Sequence, residues 1–142
     1  MRRAVWIRIR ISSSTPRTLL QPTRVLIADD ERLFVDALEL ILAADARIEV
    51  VGRALDGRAA IALARELDPD VVLIDLSMPG IDGFGAIAAI VAENASRRVV
   101  VLSGSADPGD VEKAMAAGAS RYLMKDRIAD ELVPGVLGAA PS

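Results

Sequence analysis

The 142-residue chain contains no cysteine and no histidine. The first absence excludes disulfides and thiolate metal sites. The second removes imidazole acid–base catalysis, Ser-His-Asp triads and nearly all zinc chemistry. Any metal must therefore be a hard cation held by oxygen atoms. Aromatic residues are scarce, at 3% against an apolar fraction of 52%, so the core has to be aliphatic. No apolar run approaches the roughly 20 residues needed to cross a bilayer. That predicts a soluble, cytoplasmic protein with no membrane partner. The length suits one domain with a buried core and is too short for two ordinary ones.

Charge is unevenly placed. Six arginines (Arg2, Arg3, Arg8, Arg10, Arg17 and Arg24) and no acid occupy the first 24 positions, leaving all 20 acids against 11 basic residues in the remainder. So acidic a remainder is a poor nucleic-acid binder by itself. Residues 1–23 read as a basic, poorly ordered extension, in which the alternation Trp6-Ile7-Arg8-Ile9-Arg10-Ile11 could form a short strand. The segment lacks the continuous apolar stretch of a secretory signal; an organelle transit peptide is the lesser alternative.

From Arg24 the pattern becomes regular. Short apolar runs at Arg24–Ala28, Ile48–Val51, Val71–Ile74, Val99–Leu102 and Tyr122–Met124 read as strands buried on both faces. Helical spacing fills the intervals. Leu33, Ala37, Leu38, Ile41 and Leu42 mark the first helix, and Ala60, Leu63, Ala64 and Leu67 the second. The third opens at Asp82-Gly83, and Asp107 or Asp110 caps the fourth, which ends at Gly118. The last spans Ile128 to Leu137, with Pro134-Gly135 predicting a short or kinked element. Five strands alternating with helices predict an α/β fold: a five-stranded parallel sheet with helices on both faces, doubly wound and flavodoxin-like. In such sheets ligands bind beyond the carboxyl ends of the strands.

The residues at those ends carry the chemistry. The first strand ends in Asp29-Asp30, the third in Asp75, the fourth in Ser103 and the fifth in Lys125. Singly, each is most simply a cap, a turn residue or a solvated charge. Ending four strands of one sheet, they imply a common pocket. Two like charges about 4 Å apart cost roughly 4 kcal/mol at an effective dielectric of 20. Such a cluster needs a cation or retained protons, and with oxygen ligands and room for water Mg²⁺ is the natural choice. In that pocket the Asp75 carboxylate can attack phosphorus, while Lys125 and Ser103 offer a charge and a hydrogen bond to the phosphoryl oxygens.

These residues lie in segments that carry a family resemblance. Arg24-Val25-Leu26-Ile27-Ala28-Asp29-Asp30-Glu31, Asp70 through Gly83, Val101-Leu102-Ser103-Gly104 and Gly118 through Asp126 resemble the response-regulator receiver domains of two-component systems. These are CheY-like domains, and the Lys125-Asp126 ending is closest to receivers of the NarL, FixJ and LuxR type. The resemblance covers residues 24–138, with 139–142 expected as a tail and no output domain expected within the 142 residues; the domain would either act alone by protein–protein contact or be part of a longer regulator. It implies that Asp75 accepts a phosphoryl group from a sensor histidine kinase, a phosphotransfer protein or a small phosphodonor. It implies that Asp29, Asp30, Asp75 and the Ser77 backbone carbonyl hold Mg²⁺. Ser103 and Tyr122 are implied to switch the surface of the fourth helix, fifth strand and fifth helix toward an output domain or protein target, with a homodimer forming on phosphorylation. The domain would be a signalling element, not an enzyme acting on other substrates.

Three alternatives are weaker. A degenerate receiver acting only as a binding module conflicts with the competent residues at every key position. An aspartyl phosphohydrolase needs a general acid two residues past its nucleophile, where this chain has Ser77. A flavodoxin-like cofactor binder needs a phosphate-cradling loop after the first strand, where this chain has an acid pair.

Overall fold

A computed structural model describes residues 21–138, apart from positions 81 and 106. The alternation expected at Trp6–Ile11 and the tail at 139–142 lie outside the described residues. In chain order the elements are β1 (Thr23–Ala28), α1 (Arg32–Ala43), β2 (Ile48–Ala54), α2 (Gly57–Leu67), β3 (Val71–Asp75) and α3 (Gly83–Glu93). β4 (Arg98–Ser103), α4 (Pro108–Ala117), β5 (Arg121–Met124), a 3₁₀ turn (Lys125–Arg127) and α5 (Ile128–Leu137) follow. The five strands form one parallel sheet in the order β2-β1-β3-β4-β5. The winding reverses between β1 and β3, so their carboxyl ends flank the crevice where an open sheet binds ligands.

Each face of the sheet has its own aliphatic core. Val25, Ile27, Leu73, Val100 and Leu102 pack with Val35, Leu38 and Leu42 of α1 and with Leu132 and Val136 of α5. Leu26, Val72, Ile74, Val99 and Val101 pack with Ala60 and Ala64 of α2, Ile87 and Ile90 of α3, and Ala114 of α4. The strands are apolar at consecutive positions because both faces are covered. Small alanines let α2 and α4 lie close to the sheet.

Three expectations need correction. The buried stripe of α1 is Val35, Leu38 and Leu42, whereas Leu33 is 85% exposed. Leu33 and Ala37 share a period with the core positions but sit on the far side of the helix. β2 runs on to Ala54, because Asp29 N–H at the end of β1 still needs a partner and donates to the Ala54 carbonyl at 3.0 Å. It does so through a bulge opposite Val25–Leu26; at Gly52 an added Cβ would lie 2.8 Å from Leu67 Cδ1, so that methyl would have to turn aside. Finally, α5 is not shortened by Pro134 but continues to Leu137, with Gly138 in the left-handed conformation at φ 74°. Pro134 is on its exposed side.

Local sequence sets the other boundaries. Asp56 accepts from Ala59 N–H at 2.8 Å and caps α2, and Asp107 accepts from Gly109 N–H at 2.8 Å, with Pro108 opening α4. At the amino-terminal rim of the sheet, arginines finish the helices. Arg24 donates to the carbonyls of Leu67 and Asp68 at 2.7 and 2.9 Å, closing α2. Arg98 donates to Gly135 and Val136 at 3.3 and 2.5 Å, closing α5. The Gly135 carbonyl also accepts from the N–H of the C-cap residue Gly138 at 3.4 Å; carbonyls at a helix end otherwise lack intrahelical donors, and a cation there complements the helix dipole.

Candidate functional site

The opposite rim is acidic. β1 delivers Asp29, only 1% exposed, and the exposed Asp30 just beyond its last residue. β3 ends in Asp75, only 2% exposed. One carboxylate oxygen from each of Asp29, Asp30 and Asp75 lies within 4.8 Å of the others. The backbone holds the two buried ones in place. Asp29 Oδ1 accepts from Glu31 N–H at 2.8 Å, and Asp75 Oδ1 accepts from both the N–H and the hydroxyl of Ser77 at 3.1 Å.

Lys125, the first residue past β5, reaches into this cluster. Its Nζ lies 3.0 Å from Asp29 Oδ2, 3.4 Å from Asp75 Oδ2 and 2.5 Å from Glu31 Oε1. The approach to Asp29 is close but poorly directed, so that Oδ2 is a buried oxygen without a formed hydrogen bond. Burial pushes the Asp29 carboxyl above its ordinary range and the Asp75 charge adds to this, while Glu31 N–H and Lys125 act in the other direction. Burial also works against the Lys125 ammonium, but contacts with Glu31 and Asp29 and the Asp75 charge outweigh it, and its pKa is raised. Lys125 is therefore a fixed positive charge, and at Asp29 burial still outweighs it. A buried carboxylate oxygen without a hydrogen bond, in a three-carboxylate cluster, fits a hard, oxygen-preferring cation.

The remaining residues named from the sequence lie nearby in two groups. Ser77 stands exposed beside Asp75 and gives that carboxylate its N–H and hydroxyl. Ser103 ends β4 one position beyond Leu102, which pairs with Asp75 across the sheet. Its Oγ accepts from Ser105 N–H at 3.1 Å. Tyr122, on β5 opposite Val101, packs against the aliphatic core and donates its hydroxyl to the Ser105 carbonyl at 2.8 Å. Ser103 and Tyr122 thus meet at Ser105, in the loop leading to α4, and not at the carboxylates. Sequence reasoning passed over Ser105, Glu31 as a Lys125 partner, and Phe34, whose ring centroid is 4.5 Å from Lys125 Nζ. Glu31 adjoins the acid pair and is legible as a neighbour, but Phe34 is not among the periodic positions that mark α1.

A doubly wound parallel sheet with an acidic, lysine-edged pocket at its switch point defines a class of α/β domains whose site lies beyond the carboxyl ends of the strands. Residues 25–136 match the response regulator receiver domain family, and the chain belongs to that family. It is 44% identical over 117 residues to protein-glutamate methylesterase/protein-glutamine glutaminase 3 of Myxococcus xanthus, covering 79% of this chain and 33% of that protein. It is 37% identical over 120 residues to the probable transcriptional regulatory protein NarL of Mycobacterium tuberculosis, covering 84% and 56%. The chain thus spans between a third and a little over half of these relatives. Among solved structures, the receiver domain of the Mycobacterium tuberculosis NarL superposes with a TM-score of 0.79 at 36% identity, covering 83% of this chain and 95% of that one. The response regulator domain of Thermotoga maritima CheB gives 0.76 at 28% identity, covering 84% and 96%.

Proposed function

We propose that this receiver domain accepts a phosphoryl group on Asp75 in phosphorelay signalling. The donor would be a phosphohistidine of a sensor kinase or phosphotransfer protein, or a small acyl phosphate. The observation that carries this reading is the joint placement of Asp29, Asp30 and Asp75 in one cluster, with Lys125 at their edge and Asp29 Oδ2 buried without a formed hydrogen bond. A carboxylate oxygen of Asp75 forms a bond to phosphorus as the donor's phosphorus–nitrogen or phosphorus–oxygen bond breaks. The leaving group keeps that electron pair, and the product is a mixed anhydride on Asp75.

Asp29, Asp30 and Asp75, with the Ser77 carbonyl, would hold Mg²⁺, which when bound screens the carboxylates from the incoming phosphoryl charge. Lys125 offers its ammonium to the phosphoryl oxygens, and its raised pKa keeps that charge at any physiological pH. Ser77 orients Asp75 by holding Oδ1. The readout would run through Ser103. If its hydroxyl turns toward the phosphoryl group, the bond to Ser105 N–H is given up, and Ser105 also carries the Tyr122 contact. The α4–β5–α5 surface would then shift between two populations, which phosphorylation biases by favouring one. An output domain, a protein target or a second copy would read that surface, in a cytoplasmic setting.

The test is incubation of the protein with acetyl phosphate and Mg²⁺, followed by intact mass and by peptide mapping under conditions that preserve acyl phosphates. One added phosphoryl group, mapped to Asp75 and dependent on Mg²⁺, is expected. Uptake at another residue, or none, contradicts the assignment. Weak Mg²⁺ binding that Asp30→Ala removes is expected in parallel.

A further inference from the structure

Lys125 is held by more than the two buried aspartates. Its Nζ stands 2.5 Å from Glu31 Oε1, at the exposed lip of the pocket, and 3.4 Å from Asp75 Oδ2 in the interior. The Phe34 ring lies beside it, 4.5 Å from centroid to Nζ. Glu31 precedes α1 and Phe34 lies in its first turn, so both are fixed to the loop that carries Asp29 and Asp30. Phe34 is itself seated against the core beneath α1. We infer that Glu31 and Phe34 are positioning residues for Lys125. Phe34 confines the ammonium to an arc between lip and interior, and Glu31 holds it at the outer end until a phosphoryl group on Asp75 draws it in.

The physical basis is competition for one cation. An ammonium has three donors but a single charge, and a carboxylate that pairs with it from the solvent side opposes its movement inward. The aromatic face attracts the cation without a fixed hydrogen-bond direction, so it can guide Lys125 at both ends of the arc. The two residues therefore act in opposite directions: Glu31 restrains the phosphorylation step and Phe34 supports it. Phosphorylation would also release the Glu31 carboxylate to solvent beside the pocket.

This inference rests on Asp75 as the phosphoacceptor, and the test separates the two. The initial rate of phosphorylation by acetyl phosphate is measured in the full chain and in variants. Glu31→Gln is expected to be faster by about three-fold, the scale of losing one exposed ion pair. Phe34→Leu is expected to be slower by about three-fold, the scale of one cation–π contact, with Phe34→Tyr restoring the rate. In a Lys125→Ala background the Glu31→Gln effect should vanish, because Glu31 acts through Lys125; an effect that persists there would mean direct repulsion of the donor and would overturn the inference. A second readout needs no phosphodonor: the Lys125 ε-methylene protons should show a ring-induced NMR shift that Phe34→Leu removes, and its absence in the parent protein would overturn the placement. A parent chain that takes up no phosphoryl group defeats the Asp75 reading and this inference with it. A parent chain that is phosphorylated normally while Glu31→Gln and Phe34→Leu both match it defeats the inference alone.

Discussion

The two rims of this sheet carry charge in opposite ways. At the amino-terminal rim, charges meet opposite charges or carbonyls, although the buried Arg97 Nε has no hydrogen-bond partner. Arg24 and Arg98 fill the last-turn carbonyls of α2 and α5, and the largely buried Arg97 reaches Asp68 at 3.0 Å and Glu93 at 3.1 Å. At the carboxyl-terminal rim, Asp29, Asp30, Glu31 and Asp75 gather near one ammonium, and Asp29 Oδ2 is left without a formed hydrogen bond. Two aspartates show the difference. Hydrogen bonds from the Arg47 side chain and N–H hold Asp45, in the α1–β2 connection, down at about 2, while burial pushes Asp29 up. One rim spends its charges on closing the fold and the other leaves charge unresolved where chemistry is expected, the pattern of perturbed groups that marks functional sites.

The comparison breaks most visibly through Asp75→Asn. This change should abolish phosphoryl uptake altogether, since an amide cannot form the acyl phosphate, and leave the melting temperature unchanged or raised because one buried negative charge is gone. Intact mass and thermal unfolding measured together check both halves; a variant that unfolds would make Asp75 a structural residue like those of the other rim. Next in size is Arg98→Ala. Removing charged hydrogen bonds to the Gly135 and Val136 carbonyls should cost about 1.5–3 kcal/mol, read by urea denaturation, with the phosphorylation rate preserved. A loss of phosphorylation with intact stability would show that the rims are not separable in this way.

How far the sequence disclosed each rim follows from the same contrast. The acidic pocket was legible because its members end strands: Asp29, Asp30, Asp75 and Lys125 all stop an apolar run, and parallel topology sends such ends to one side. The arginine caps were not legible, because Arg98 merely begins a strand, and its carbonyl partners belong to a helix 37 residues away in sequence. Helix periodicity failed in α1 for a related reason. Leu33, Ala37 and Leu40 repeat as regularly as Val35, Leu38 and Leu42, and only the position of the sheet decides which stripe is buried. Pro134 misled because the cost of proline in a helix is an average for interiors, whereas here the ring lies on an exposed side and α5 closes soon after, at Gly138. Phe34 escaped because its distinctive contact, the Lys125 ammonium, comes from the far end of the chain.

Smaller effects sharpen the comparison at the two aspartates. The sign of each follows from linkage: stability falls with rising pH wherever the native state binds more protons than the unfolded one. With its pKa raised on folding, Asp29 loses stability as pH climbs from the ordinary carboxylate value through its native value, so ionised Asp29 is a cost at neutral pH. Asp29→Asn should therefore raise the melting temperature at pH 7 in the absence of Mg²⁺, by a margin that shrinks toward pH 3. An unchanged or lowered value at pH 7 would mean that Lys125 already compensates the charge.

Asp45 has the opposite sign and the smallest expected effect. Its pKa is depressed to about 2 by Arg47, which donates to it from both side chain and backbone. The stability it contributes is present in full above the ordinary carboxylate value and is lost as pH falls toward 2. Asp45→Asn should lower the melting temperature slightly at pH 7, by a margin that shrinks as pH falls through about 2. Because the Arg47 side chain is 66% exposed, salt should erode the difference. Measured across pH and salt, Asp29→Asn and Asp45→Asn should give melting-temperature differences of opposite sign at neutral pH, both closing in acid. If both variants shift in the same direction, the contrast between a resolved and an unresolved rim does not hold for these two residues.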